Sequence, residues 1–126
     1  MGWTLWIVLG AISAGLSVVF GAFGAHALKA RIAPEALVTF EIGVRYQMYH
    51  AIGLIALGLV AIKIDNVAIK VSGVTMFAGM LIFSGSLYGV SLLDQRWLGM
   101  IAPIGGLLLI IGWFALAWAA LAPSLA

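Results

Sequence analysis

The sequence predicts an all-α integral membrane protein: a four-helix bundle with a long connection, part of it an interfacial helix, between spans one and two. Three observations predict it. Of 126 residues, 65% are hydrophobic and 8% are charged, whereas a soluble domain is about a quarter charged. The charges fall outside or at the ends of four apolar runs, each near the roughly 20 residues that cross a hydrocarbon core about 30 Å thick. Those runs do not alternate apolar with polar, so helices rather than a closed barrel satisfy the backbone in lipid. The whole chain, 1–126, reads as one membrane domain whose first partner is the lipid bilayer. With no cysteine, a disulfide scaffold is excluded, as are a disordered regulator and a cytosolic nucleotide enzyme. A net charge of +2 with scattered charges is too little for a nucleic-acid surface.

Span one covers about 3–27 and carries no charge from Trp3 to Ala27. Ala25-His26-Ala27 has the small-x-small form of a cleavage site. However, no basic segment precedes it and the apolar stretch is too long for a leader, so the run reads as a retained span. Ser13, Ser17, Gly21 and Ala25 recur every four residues. Small residues let membrane helices approach closely, so this stripe is expected either to pack the bundle internally or to join copies of the chain.

The connection that follows holds Lys29, Arg31, Pro34, Glu35, Glu41 and Arg45. Pro34 suits the first position of a helix, where its missing N–H costs nothing. Glu35 follows in the first turn, where negative charge suits the helix dipole. From there the pattern is unbroken to about Ile62, a length of about 43 Å at about 1.5 Å per residue. Residues 34–45 are therefore expected to lie in the interface, or to tilt or bend near Gly43, ahead of span two at about 45–62. Leu37, Val38, Phe40, Ile42 and Val44 supply an apolar face for interfacial burial.

Lys63, Asp65, Asn66 and Lys70 make a short turn into span three, about 70–93, which contains a GxxxG at Gly85 and Gly89. Asp94, Gln95 and Arg96 make a tighter turn into span four, about 98–121. Short loops force antiparallel neighbours. In span four, Pro103 either starts the regular helix or kinks it, with Gly105 and Gly106 beside it as packing positions. Leucine at Gly21 or Gly85 is expected to break an oligomer built on these small residues. The five tryptophans read as interfacial anchors or packing. Loops one and three carry more Lys and Arg than loop two, which favours them in the cytoplasm.

Ionisable groups at membrane depth are the default functional candidates. No Asp, Glu, Lys or Arg lies in the middle of a span, which argues against a proton-coupled carrier. The remaining polar residues converge on one expected membrane face: His26 ending span one, and Glu41, Arg45, Tyr46, Gln47, Tyr49 and His50 entering span two. Glu41, Arg45 and Tyr49 form one helical stripe, in the order that lets Glu41 hold Arg45. Tyr46 and His50 form a second stripe. The histidines have several readings: a bis-imidazole haem site, a metal site with Glu41, a quinone headgroup contact or proton relay, or a bond to a backbone carbonyl. Catalytic motifs are absent. Ser84-Gly85-Ser86 lacks the spacing and strand of a nucleophile elbow, and Gly21 to Gly24 lies inside a span rather than after a strand. The sequence therefore calls for no enzyme activity, no resident cofactor and no metal.

Four blocks carry a resemblance. They are Gly21-Ala22-Phe23-Gly24-Ala25-His26-Ala27-Leu28, Phe40 to Ala51 (FEIGVRYQMYHA), Phe83-Ser84-Gly85-Ser86-Leu87-Tyr88, and Trp97-Leu98-Gly99 followed by Pro103-Ile104-Gly105-Gly106 and Gly112-Trp113. Spread in order over nearly the whole chain, they resemble the YgdD/YwdK type of small bacterial membrane protein, domain-of-unknown-function family 423. The eukaryotic transmembrane protein 256 is similar. Ala102 departs from the threonine expected there, which removes a hydroxyl beside the proline. The resemblance implies a multi-pass protein of the bacterial cytoplasmic (inner) membrane. It also marks His26, Glu41, Arg45, Tyr46, Gln47, His50, Ser84, Ser86, Tyr88 and Pro103 as shared residues, and implies no activity. With Tyr49, the polar members are expected to form a network closing one face of the bundle. The function expected is a non-enzymatic homo-oligomer that holds a lipid or quinone near His26 and His50. The alternatives are a passive channel or small-solute transporter, or an accessory subunit of a larger membrane complex.

Overall fold

The four apolar runs fold as α1 (Gly2–Phe23), α2 (Pro34–Ala61), α3 (Val67–Leu93) and α4 (Ala102–Leu121), in a computed structural model that describes residues 2–122. A π turn, Gly24–Leu28, ends α1, and a 3-10 turn, Arg96–Met100, leads into α4.

Local chemistry sets the boundaries. Pro34 is the first residue of α2. Asn66 caps α3, its side chain accepting the Ile69 N–H at 3.0 Å. Asn66→Ala is expected to cost about 1 kcal/mol, the usual worth of such a cap, read as a lower denaturation midpoint in detergent. Asp94 stops α3 in the left-handed conformation (φ 52°), its N–H bonding the Gly89 carbonyl. A short polar side chain tolerates that geometry. Pro103 is the second residue of α4, where a missing N–H is harmless, so it starts the helix and makes no kink. It is exposed and does not lie on a packing face.

α2 is one helix of 28 residues with no break at Gly43. Residues 34–45 are continuous with the rest of it. Phe40 lies over Gly24 and Val44 near Gly21, so residues 34–45 run along the end of α1. The reason is length. α2 is about 42 Å long, and α1 with its π turn, 27 residues, is about 40 Å at about 1.5 Å per residue, so the two are matched. Three segments are long and apolar enough to cross a membrane: Gly2–Leu28, Val67–Leu93 and Arg96–Leu121. α2 is as long, but Glu41, Arg45, Gln47 and His50 lower its hydropathy.

Each helix makes its extended contacts with its sequence neighbours: α1 with α2, α2 with α3, α3 with α4. Glycines set the close approaches. A Cβ on Gly10 would lie 2.6 Å from the Ala51 carbonyl oxygen, and one on Gly58 would lie 2.8 Å from the Trp3 carbonyl oxygen. Between α3 and α4, a Cβ on Gly79 would lie 2.9 Å from the Gly105 carbonyl, and one on Gly105 would strike the Phe83 backbone. Two tryptophans reach beyond nearest neighbours. Trp6 of α1 fills the notch at Gly73 of α3, and Trp113 of α4 fills the notch at Gly53 of α2. The apolar core includes Trp6, Leu54, Leu57, Ile69, Met76, Met80 and Leu109.

The small-residue stripe of α1 is used inside the chain. Ser13 and Ser17 are buried, and Gly21 is half-buried near Val44. Ala25 is exposed, and Gly24 takes the buried place instead. A strict four-residue repeat drifts about 40° per step around a helix of 3.6 residues per turn, so by Ala25 it has left the contact face. In the GxxxG of α3, Gly89 sits under Leu98, whereas Gly85 faces open space with nothing within 4 Å.

Candidate functional site

α2 carries most of the polar residues and presents them on three faces. The first face looks into the bundle. Gln47 donates from Nε2 to the Ser13 carbonyl of α1 at 2.9 Å and accepts from the Tyr88 hydroxyl of α3 at 2.6 Å. One side chain thus ties three helices. Ser84 donates to the Gly43 carbonyl at 2.7 Å, and Tyr88 occupies the notch that Gly43 leaves. Phe20 and Phe40 pack on the Tyr88 ring, with centroids 5.5 and 5.3 Å away. A cavity of about 200 Å³ lies beside this cluster, lined by Ser13, Phe20, Gln47, Ser84, Gly85 and Tyr88 among others. Ser86 is buried but bonds the Ile82 carbonyl of its own helix, outside the cluster.

The second face looks toward α4. Trp113 donates its indole N–H to His50 Nε2 at 3.0 Å, and His50 Nδ1 lies 2.7 Å from the Tyr46 carbonyl. An indole nitrogen only donates and a carbonyl only accepts, so Nδ1 carries the proton and both ring nitrogens are engaged. The Tyr46 ring stacks near His50 (centroids 6.2 Å) and meets Tyr49 (5.6 Å) and Phe83 (4.9 Å). Together with Gly106, Leu109, Ile110 and Trp113 these residues line a groove of about 530 Å³ between α2 and α4.

The third face looks outward. Glu41 and Arg45 are both exposed there. The expected pair between them is not made. The ion pair present among the described residues is Arg96 with Asp94, at 3.7 Å on the exposed turn after α3. Their four-residue spacing puts both on one face of α2, and no side chain of the described residues pairs with either.

The sequence grouped His26 with these residues, and the structure separates it. His26 is exposed in the π turn, beside the Gly24–Phe40 contact. The run from Phe40 to His50 along α2 sets the two imidazoles about 15 Å apart along the axis. They share no ligand, and His50 has no free nitrogen for an iron or metal. Among the described residues no three His, Asp or Glu side chains gather at metal-binding distance. Four groove residues, Phe83, Leu109, Ile110 and Trp113, were not read as site residues from sequence. Their signal was the depth of Trp113, which lies too far inside span four for an interfacial anchor.

The outer surface fits lipid: Val8, Ile12, Val19, Ile104, Leu107, Ile110 and Phe114 stand exposed along α1 and α4. Apolar outside, with Gln47, Ser72 and Ser84 bonded across helices, the molecule has the build of a multi-pass helical membrane protein. Within that class the chain belongs to the family described as "Protein of unknown function (DUF423)", which matches residues 20–106. It is 44% identical to the UPF0382 membrane protein YwdK of Bacillus subtilis, over 92% of this chain and 95% of that one. It is 42% identical to a UPF0382 membrane protein of Staphylococcus epidermidis (93% and 95% covered). A third relative, from Haemophilus influenzae, is 38% identical over 90% of each chain. No solved structure matches the chain.

Proposed function

We propose that this protein is a non-enzymatic, self-associating module of the bacterial cytoplasmic membrane that seats an amphipathic lipid or quinone in the groove between α2 and α4. The groove carries the reading. Its volume of about 530 Å³ falls within the range of small-molecule sites, roughly 300–1,000 Å³, lined mostly by apolar and aromatic side chains. Phe83, Leu109, Ile110 and Trp113 offer walls to a tail or a flat ring. The hydroxyls of Tyr46 and Tyr49 have no hydrogen-bond partner among the described residues and are free to donate to a carbonyl or phosphate oxygen. His50 is held by Trp113 and Tyr46, so it shapes the wall and carries no proton to the ligand.

Gly106→Leu tests this. A Cβ there meets only Phe83 side-chain atoms, at 3.7 Å and beyond, so the larger side chain fills the groove without striking backbone. Wild-type protein released in mild detergent should carry a phospholipid or quinone mass in native mass spectrometry. The variant should lose about tenfold or more of it, as a site whose apolar volume is occupied must. A quinone also shows by its ultraviolet absorbance, which separates the two ligands. A wild-type protein without either mass, or a variant that retains it fully, would sink the proposal.

A further inference from the structure

Glu41 and Arg45 differ from every other charge on the chain. Lys29, Arg31, Lys63, Asp65, Asp94 and Arg96 lie in connections, and Glu35 and Lys70 lie in first turns. Glu41 and Arg45 stand about 10 and 16 Å along α2 from Pro34 at about 1.5 Å per residue. If a helix of about 42 Å is centred on a core of about 30 Å, both lie within the hydrocarbon layer. Ionisable groups at that depth almost always face a bundle interior or a water-filled cavity, or pair with one another. These two do none of these within the chain: both are exposed and unpaired.

Their surroundings say what covers them. Val38, Arg45, Ile52 and Leu59 recur every seven residues and all are exposed. With Glu41 and Tyr49 they fall within an arc of about 80° at about 100° per residue. A seven-residue repeat on an outer face is the seam by which one helix packs along another. We infer that this face of α2 docks on the same face of a second copy of the chain, each Arg45 pairing with the other copy's Glu41. The inference rests on the self-association reading and names its surface. A twofold contact sets each residue against its counterpart's partner, so one docking event neutralises all four charges. An anionic lipid headgroup would satisfy Arg45 and repel Glu41.

The chain has no cysteine, so an introduced one reports unambiguously. Ile52→Cys should give a disulfide-linked dimer in membranes, and Leu81→Cys, exposed on α3, should not. Glu41→Arg and Arg45→Glu, each in the Ile52→Cys background, should each reduce the dimer about tenfold. The two reversals, differently tagged and co-expressed, should restore it as a mixed dimer, because an all-positive face then meets an all-negative one. An ion pair within one chain cannot produce that rescue. Should either reversal fail to insert, Glu41→Gln and Arg45→Gln serve in its place and should each weaken the dimer. Undiminished dimer in the single variants, or no rescue on mixing, overturns the inference. Linkage at Leu81→Cys alone overturns this surface while the self-association reading stands. A bare monomer in native mass spectrometry, with no linkage at either site, overturns both.

Discussion

Gly105→Leu is expected to prevent α4 from docking on α3. A Cβ at Gly105 would collide with the Phe83 backbone nitrogen and lie 2.9 Å from its Cα. Backbone cannot swing aside as a side chain can, so the two helices must separate. Overpacking a core typically costs about 1–3 kcal/mol, and this site sits at the top of that range or above it. Membrane helices have little else to hold them, since lipid tails are as apolar as their side chains and close packing carries the association. The expected loss is about 3 kcal/mol or more, measured by reversible unfolding in mixed micelles. Gly85→Leu makes the control: nothing lies within 4 Å of its Cβ position, and the change should stay within about 0.5 kcal/mol. It should also leave the oligomer intact, because the inferred seam is on α2. Equal unfolding midpoints for Gly105→Leu and wild type would refute the α3–α4 contact.

Gln47→Leu should be the next most damaging change. It removes the amide that joins the Ser13 carbonyl to the Tyr88 hydroxyl. A hydrogen bond between membrane helices averages about 0.6 kcal/mol and reaches about 1.7. Stranding the half-buried Tyr88 hydroxyl adds part of a desolvation cost, so a total of about 2 kcal/mol is expected. Tyr88→Phe alone should cost about 1 kcal/mol on the same basis. The double variant should be less than the sum, because no hydroxyl is then left without a partner. An additive double variant would mean that the two side chains do not interact, and the three-helix tie would be wrong.

The fold was largely legible in the sequence because hydropathy and short loops leave a membrane chain few choices. The four runs, the Pro34 start and the antiparallel order needed only local chemistry. The site was legible in part. The helical repeat separates the Tyr46–His50 stripe from the Glu41–Arg45–Tyr49 stripe; the structure gives the first to the groove and Glu41 and Arg45 to the outer face, with Tyr49 at the groove's edge. Which partner each stripe meets was hidden, since it depends on how α2 lies against α1. Once residues 34–45 run along α1, His50 moves to mid-bundle and away from His26. Gln47, one residue from Tyr46, points about 100° away from it and meets Tyr88. The Trp113–His50 bond joins residues 63 apart in sequence, and no local pattern announces it.

The neighbour-by-neighbour arrangement of the helices has a consequence for biogenesis. Because α1 meets α2, α2 meets α3 and α3 meets α4, each helix entering the membrane finds its partner already there. Each step closes only a short loop, and chains whose contacts are local in sequence fold quickly. Trp6 and Trp113, which reach across to α3 and α2, can lock the assembly only after their targets have been inserted. Trp6 waits through two helices for Gly73, so its indole should become protected later than the α1 backbone around it, which the earliest hairpin already holds at Gly10 and Gly58.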